Sequence, residues 1–165
     1  MNLFMPPGGQ DNHLSYFTQM TTTRRATLQD LEELTPLFNA YRQFYKQPGD
    51  LANAYQFLKE RLSGNESVVF MAFNENNAIG FTQLYPIFSS VSMQKAWLLN
   101  DLFVDPTARR SGAAEALLNA AKEHGIHTGA KWLLLETAND NFPAQSLYEK
   151  NGWVKAQDIF YTLDL

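Results

Sequence analysis

The chain has no cysteine among its 165 residues. This absence excludes disulfides, thiolate metal sites and covalent catalysis through a thiolate, and it fits a cytoplasmic location. No run of about 18 apolar residues occurs, so no membrane-spanning helix is expected. Basic residues are in the minority, 13 against 17 acidic ones, and the net charge of −4 provides no positive field for nucleic acid.

Two glycine-rich phosphate-binding fingerprints are also missing. The chain contains neither G-x-G-x-x-G nor G-x-x-x-x-G-K-[ST], so neither a dinucleotide-binding unit nor a P-loop NTPase is indicated. His124 and His127 have poor spacing for a metal site and lie at a predicted helix end, where histidine is favoured electrostatically. We therefore assign no metal to this chain.

What the chain does contain is typical of one globular domain. It is 45% hydrophobic and 18% charged, and its length is sufficient for a full core. Residues 1–20 include Pro-Pro-Gly-Gly but neither a basic nor a strongly apolar stretch. They are expected to form a flexible N-terminal leader rather than a secretory signal, and residues 21–165 to form the domain.

Hydrophobic periodicity and turn residues predict six strands and four helices after the leader. The strands are predicted over 21–26, 68–73, 79–84, 96–104, 131–137 and near 158–164. A capping box at 27–30 opens the first helix, whose apolar face is 31, 34, 38, 41 and 45. The second helix is predicted from its apolar face at residues 51, 54, 55, 58 and 62. The third and fourth helices are predicted over 112–124 and 143–150. Pro36 should kink or restart the first helix, and Gly125 should end the third.

Residues 103–118 are the most informative segment of the chain. The strand predicted over 96–104 ends at Asp105-Pro106, and two arginines, a serine and a glycine then lead into a helix. Such a turn directs free backbone N–H groups and the positive end of the helix dipole at one point. Because residues 112–114 are small, an anion can approach this backbone closely. The segment therefore predicts a phosphate or pyrophosphate site.

The order Arg109-x-x-Gly112-x-Ala114 resembles the acyl-CoA-binding motif of the GNAT superfamily of N-acetyltransferases, Arg/Gln-x-x-Gly-x-Gly/Ala. A second stretch resembles the other GNAT motif, an asparagine followed by a small residue, a tyrosine and a glycine–aromatic pair. Its members are Asn141, Ala144, Tyr148, Gly152 and Trp153.

The resemblance covers roughly residues 22–165 and implies an α+β fold. In this fold a mostly antiparallel twisted sheet is flanked by helices on both faces, in the order β-α-α-β-β-β-α-β-α-β. It also implies an acyltransferase that uses acetyl-CoA as its donor. A homodimer is a further expectation by analogy, with pairing of C-terminal strands over residues 158–165.

The family resemblance implies which residues contact the CoA donor. They belong to the strand before the turn, the turn itself and the second motif: Leu102, Phe103, Val104, Arg109, Arg110, Ser111, Gly112, Ala113, Ala114, Asn139, Asn141 and Tyr148. Tyr148 is also expected to be the general acid, because a phenol with a pKa of about 10 stays protonated at neutral pH and can donate to the departing thiolate.

The sequence leaves three candidates for the base that accepts the proton of the amine: two carboxylates and water. Polyamine acetyltransferases of this superfamily, which the chain somewhat resembles, typically have a glutamate where Asn100 stands, and an asparagine cannot be a base. Asp101 is adjacent, although strand alternation directs it to the opposite face. Glu136, on the next predicted strand, is the other candidate.

The acceptor pocket is expected to be rich in aromatic residues that hold an amine by cation–π contact. Its candidates are Tyr41, Phe44, Tyr45, Tyr85 and Asn100. The predicted reaction is direct attack, in a ternary complex, by a primary amine of a diamine, amino acid or aminated metabolite. A protein lysine or N-terminus is the alternative acceptor, and a noncatalytic acyl-CoA sensor is the alternative from another class.

Overall fold

The computed structural model describes residues 21–165, and the leader predicted over 1–20 lies outside them. Five strands are formed: β1 (Thr21–Arg25), β2 (Val68–Asn74), β3 (Asn77–Ser89), β4 (Gln94–Val104) and β5 (Leu133–Leu135). Four α-helices accompany them: α1 (Leu31–Phe44), α2 (Leu51–Ser63), α3 (Ala113–His127) and α4 (Phe142–Lys150). The predicted α+β fold is confirmed.

The strands form one sheet in the order β1-β2-β3-β4-β5. The first four are antiparallel neighbours, and β5 pairs in parallel with β4. This parallel pairing is short, from Trp97 opposite Leu133 to Leu99 opposite Leu135. Because β4 continues to Val104, its last residues have no strand partner on the β5 side among residues 21–165.

A bulge interrupts β4 at Asn100. Gln83 of β3 pairs with Asp101 and Leu84 with Leu99, so Asn100 has no partner in the register. The bulge changes which side chains face which helices, because one extra residue reverses the alternation of a strand. Leu99 consequently packs with α3, whereas Phe103 packs with α1.

The core lies on both faces of the sheet. On one face, buried side chains of α1 and α2 pack against the strands: Leu31, Leu34, Leu37, Phe38, Ala54, Leu58, Val69, Met71, Phe81 and Phe103. On the other face α3 contributes Ala113, Leu117, Leu118 and Ala121. Full burial of a leucine or phenylalanine stabilises the fold by about 1.5–3 kcal/mol, so these two layers fix the sheet that carries the site.

The predicted capping box at the start of the first helix is present. The Thr27 hydroxyl accepts from the Gln29 N–H at 3.2 Å, and the Thr27 N–H donates to Asp30 Oδ2 at 2.7 Å. The predicted restart at Pro36 is wrong, because α1 is continuous from Leu31 to Phe44. A proline removes only one helical hydrogen bond, and the packing of α1 compensates for that loss.

Two other expectations need correction. Gly125 does not end α3 but lies buried inside it, where a Cβ would be 2.5 Å from Leu133 Cδ1. This glycine therefore allows close packing of α3 on β5. No strand forms over 158–164. Apolar side chains of that segment are exposed instead, Ile159 by 77% and Tyr161 by 91%.

Candidate active site

A cavity of about 410 Å³ opens where β4 and β5 separate. It is bounded by side chains from α1, the two strands, the turn before α3 and helix α4. The residues that line it are Tyr41, Phe44, Tyr45, Leu99, Asn100, Leu102, Phe103, Val104, Arg109, Ala114, Leu135, Glu136, Thr137, Asn141, Pro143, Ala144, Leu147 and Tyr148. Both sequence motifs, which are far apart in the chain, thus contribute to one cavity.

The separation of β4 from β5 creates a free backbone edge in this cavity. Pairing ends at Leu99 and Leu135, while Leu102, Phe103 and Val104 continue the strand along the cavity wall. Main-chain N–H and C=O groups of an unpaired edge bind an extended ligand in the way that a further strand would. The three residues expected to contact CoA here all line the cavity.

The turn before α3 brings the helix N-terminus to the same cavity. Gly112 is the N-cap of α3 in a left-handed conformation with φ of 81°, and no side chain within the described residues caps the helix. Arg109 and Ala114 line the cavity. The Ser111 carbonyl accepts a hydrogen bond from the Thr21 hydroxyl at 3.0 Å, which ties the turn to β1. The free N–H groups of α3 and the guanidinium thus suit an anionic group.

Other predicted members of the turn lie beside the cavity rather than on its wall. Arg110 and Ser111 are exposed, and Ala113 is buried against the sheet. Gly112 is also outside the lining. A Cβ at Gly112 would meet no atom of residues 21–165 within 4 Å, so it is the left-handed backbone conformation that favours glycine there.

Helix α4 positions the second motif. Asn141 is its N-cap, with Oδ1 accepting from the Ala144 N–H at 3.3 Å. Tyr148 lies two turns later, lines the cavity and packs against Trp153 with ring centroids 6.2 Å apart. Burial raises the pKa of Tyr148, and Tyr45 adds to the effect. The Tyr148 phenol is therefore protonated at neutral pH and can act as a proton donor.

Helix α1 supplies an aromatic wall. Tyr41 and Tyr45 are in edge contact with centroids 5.1 Å apart, and Phe44 contacts Tyr45 at 5.2 Å. Phe44 is 60% exposed, although it lines the cavity. Tyr85 does not reach the cavity wall. It lies half-buried on β3, where burial raises its pKa to about 12.

The two candidate carboxylates differ in accessibility. Glu136 follows β5, is exposed and lines the cavity. Asp101 is only 5% exposed and is not part of the lining. Burial raises the pKa of Asp101, although hydrogen bonds from Tyr41 and Asn100 oppose this shift. The Asn100 amide donates to Asp101 Oδ1 at 3.0 Å, so the buried carboxylate is hydrogen-bonded to a residue that lines the cavity.

Asn139 is another expected CoA contact that does not line the cavity. It is exposed, and its carbonyl accepts from Gln145 Nε2 at 3.0 Å outside the lining. Sequence reasoning missed several apolar lining residues, among them Pro143 and Leu147. The spacing of Ala144, Leu147 and Tyr148 was an available signal, because positions i, i+3 and i+4 share one face of a helix.

Neither a metal centre nor a membrane span is found in the described part of the chain. Within residues 21–165, no three His, Cys, Asp or Glu side chains are grouped so that they hold a metal ion. No helix in that same range combines the length and the apolar character needed to cross a bilayer.

The fold and the cavity define an acyltransferase. The sequence matches the acetyltransferase (GNAT) family over residues 31–153, and the chain belongs to that family. It is 52% identical over 130 residues to the uncharacterized N-acetyltransferase YhfO of Bacillus subtilis (strain 168), covering 79% of this chain and 87% of that protein.

Two further similarities agree with this assignment. A probable acetyltransferase of Haemophilus influenzae (strain ATCC 51907 / DSM 11121 / KW20 / Rd) is 38% identical over 125 residues, which are 75% of this chain and 84% of that protein. The crystal structure of a probable acetyltransferase superposes with a TM-score of 0.83 at 39% identity, covering 87% of this chain and 97% of that one. The protein is thus an N-acetyltransferase by its family, and the family uses acetyl-CoA.

Proposed function

We propose that this enzyme transfers the acetyl group of acetyl-CoA to a primary amine of a small molecule, by direct attack within a ternary complex. The observation that carries the proposal is the single cavity in which Arg109 and Ala114 of the first motif, Tyr148 of the second and the aromatic wall of α1 meet. We infer that this cavity combines a binding site for the acyl donor, a general acid and a binding site for the acceptor.

Acetyl-CoA fits the groups on two sides of this cavity. The free edge of β4 at residues 102–104 offers backbone partners to the pantetheine arm, and the N-terminus of α3 with Arg109 suits the pyrophosphate. The proposed phosphate-binding turn also includes Arg110, Ser111 and Ala113. On the side of α4, the proposed CoA contacts are Asn139 and Asn141. A backbone N–H of the β4 edge is the proposed donor to the thioester oxygen.

Tyr148 is the proposed general acid. As the amine nitrogen forms a bond to the thioester carbon and the C–S bond breaks, the phenol gives its proton to the departing thiolate. Its raised pKa keeps that proton available over the neutral range. Asp101 and Glu136 are the candidate acceptors for the proton of the attacking amine.

The acceptor side supports a small amine. A cavity of about 410 Å³ is within the usual size of a small-molecule site, and part of it is required by the donor. Phe44 and Tyr45 line the cavity, and their rings are the proposed cation–π partners of an ammonium group. Asn100, which also lines the cavity, is the proposed polar contact. A protein lysine or N-terminus remains the alternative acceptor, and an acyl-CoA sensor without turnover remains the alternative from another class.

Release of CoA thiol from acetyl-CoA tests the proposal directly. The protein is mixed with diamines, amino acids, aminated metabolites and lysine peptides, and thiol is followed with a disulfide reagent. Because the chain has no cysteine, the protein gives no background. Acceptor-dependent release with small amines supports the proposal, and release only with peptides supports the alternative acceptor. Tight acetyl-CoA binding without release above hydrolysis supports the sensor.

A homodimer belongs to the same proposal. Apolar side chains recur at every second position of the exposed C-terminal segment, at Ile159, Tyr161, Leu163 and Leu165, so that one face of a strand formed here would be apolar. The opposite face carries Phe160 beside the polar residues 158, 162 and 164. Within the described residues, β5 is an edge strand with one free side. Pairing of this segment with β5 of a second copy would cover both surfaces.

Light scattering after gel filtration tests the homodimer. A dimer is expected for the wild-type chain, and Tyr161→Lys should convert it to a monomer, since the charge falls on the apolar face. Thr162→Lys, on the alternate face, is the matched control and should leave the dimer intact. A wild-type chain that elutes as a monomer contradicts the dimer but not the acetyl transfer.

A further inference from the structure

We propose that Glu136 binds a second ammonium group of the acceptor, so that the enzyme prefers a diamine to a monoamine or an amino acid. This inference rests on the proposed acetyl transfer and names the class of its acceptor. Glu136 is then a specificity-determining residue, and the proton of the attacking nitrogen is left to Asp101 or to water.

The cavity has one charged group of each sign in its lining. Among residues 21–165, Arg109 is the only cation on its wall and Glu136 the only carboxylate. No ion pair within that range involves Glu136, and its side chain is exposed. A carboxylate that lines a cavity without a cation of its own is available as the counter-ion of a cationic ligand.

The two charges lie at opposite ends of the free β4 edge. Glu136 directly follows Leu135, which pairs with Leu99 where the two strands separate. Arg109 comes only after β4 has ended at Val104. The stretch of β4 from Leu99 to Val104 spans roughly 15 Å at the usual rise of a strand. Arg109 therefore suits the phosphates of the donor, and Glu136 lies at the end that is left for the acceptor.

Strand alternation places Glu136 on the side of the sheet that α1 covers. Leu133 and Leu135 pack in the apolar cluster beneath α3, and successive residues of a strand point to opposite faces. Glu136 is therefore on the other face, where the end of α1 brings Phe44 and Tyr45 to the same cavity. A ligand group in this part of the cavity meets a carboxylate and aromatic rings together.

These groups suit a nitrogen that keeps its charge rather than the nitrogen that reacts. A carboxylate and aromatic ring faces both favour the ammonium form of an amine. The attacking nitrogen must lose a proton before it bonds to the thioester carbon, so stabilisation of its ammonium form would slow the attack. A second ammonium group on the same molecule stays charged throughout, and its binding does not oppose the reaction.

An amino acid fits the same surroundings poorly. Apart from Arg109, no lysine, arginine or histidine among residues 21–165 lines the cavity, so the carboxylate of an amino acid would have no cation on the acceptor side. Glu136 would also repel it. A monoamine with an apolar tail would leave the Glu136 carboxylate unused. The charge pattern thus favours an acceptor with two amino groups.

The decisive experiment compares 1,4-diaminobutane, pentylamine and 5-aminopentanoate, in which the same four-carbon chain ends in an ammonium, a methyl and a carboxylate group. Wild-type kcat/KM should be about 10- to 100-fold higher for the diamine than for the other two, the usual effect of one charged contact. Homologous series that are one carbon shorter and one carbon longer cover the chain length.

Glu136→Gln should raise the KM for the diamine about 10- to 100-fold and leave kcat within about twofold, because the second ammonium group is bound equally in the ground and transition states. Its kcat/KM for pentylamine should stay within about twofold of the wild type. Glu136→Lys should reverse the preference in favour of 5-aminopentanoate. Glu149→Gln, which neutralises an exposed carboxylate on α4 outside the cavity, is the matched control and should retain the preference for the diamine.

Calorimetric titration of the CoA-loaded protein with the diamine provides a readout without turnover, and Glu136→Gln should weaken this binding by the same factor. Equal wild-type kcat/KM for the diamine and pentylamine overturns the inference while the proposed function stands. An equal fall in kcat for every acceptor in Glu136→Gln also overturns it, because Glu136 would then be a base.

Two further outcomes separate the inference from the proposed function. If the wild type binds the diamine through Glu136 but releases no thiol, the proposed function fails and the acceptor site remains. If it neither binds nor acetylates any member of the series, the inference fails, and the wider panel of amines decides the proposed function separately.

Discussion

Gly80 of β3 lies directly against the Phe103 carbonyl of β4. A Cβ at Gly80 would be 2.6 Å from that oxygen and 3.2 Å from Val104 Cα, so no side chain fits there without moving the backbone. Since Phe103 and Val104 form part of the cavity wall, this close approach fixes the strand proposed to bind the donor.

Gly80→Ala should therefore destabilise the protein, by about 1–3 kcal/mol, the usual cost of overpacking. Urea unfolding measures this loss of unfolding free energy. The matched control is Gly64→Ala at the end of α2, where the nearest atoms belong to the flexible Glu66 side chain at 3.1 Å. Equal stabilities of the Gly80 and Gly64 variants would show that β4 adjusts freely.

Gly112→Ala should weaken binding of CoA about tenfold, because a left-handed φ of 81° is strained for alanine and the helix N-terminus would shift. Gly129→Ala is the control. It introduces a similar strain, at φ of 66° with open space around the Cβ, but at the far end of α3. Both variants should lose about 1 kcal/mol of stability. Calorimetric titration with CoA should then reveal weaker binding for the Gly112 variant alone.

Tyr148→Phe should lower kcat by about 10²–10⁴-fold with little change in the Kd for acetyl-CoA, because it removes the proposed acid and retains the ring. Tyr161→Phe removes a hydroxyl from a side chain that is 91% exposed and outside the cavity, and it should behave like the wild type. Full activity of Tyr148→Phe in the thiol-release assay would exclude this phenol as the acid.

Asp30 should make stability depend on pH in the acid range. A hydrogen bond from Arg24 at 2.7 Å, with further bonds from Thr27, lowers the pKa of Asp30 from 3.8 to about 2. Because the folded pKa is below the unfolded one, the stabilisation is complete above about pH 4 and is lost as pH falls from 4 to 2.

Asp30→Asn should accordingly reduce the unfolding free energy by about 1–2 kcal/mol at neutral pH, and the difference from the wild type should narrow below pH 4. Urea titrations at pH 7, 4 and 3 measure the difference in unfolding free energy between the variant and the wild type. Asp164→Asn, in the exposed C-terminal segment, is the control for a general charge effect. A difference that is constant across this pH range would show that ionisation of Asp30 does not contribute to stability.

Local features of the fold were predictable from the sequence. The apolar faces of α1 and α3 and the capping box at Thr27 all depend on contacts within a few residues. The hairpin of β2 and β3 was predictable for the same reason, since a short polar turn joins two apolar runs. Two corrections concern Pro36 and Gly125, where packing of the helix outweighs local preference. The third concerns the last strand, because within residues 21–165 no strand pairs with that segment.

The candidate site was predictable only in part. The two motifs led to Tyr148 and to the turn before α3, and the structure brings both to one cavity. The bulge at Asn100 was not predictable, because it arises from the register between β3 and β4. That bulge decides that Asp101 lies behind the wall while Asn100 is part of it, and a pattern of alternating residues contains no information about such a shift.

The sequence by itself determined the family of this protein and the positions of most helices and strands, because each follows from residues close together in the chain. Only the tertiary structure decided that β4 and β5 separate after Leu99, that Tyr41 lines the cavity whereas Asp101 is buried outside its lining, and that the apolar side chains of the C-terminal segment are exposed. These features depend on which distant segments pack together, and packing of that kind is fixed by the core as a whole rather than by any local pattern.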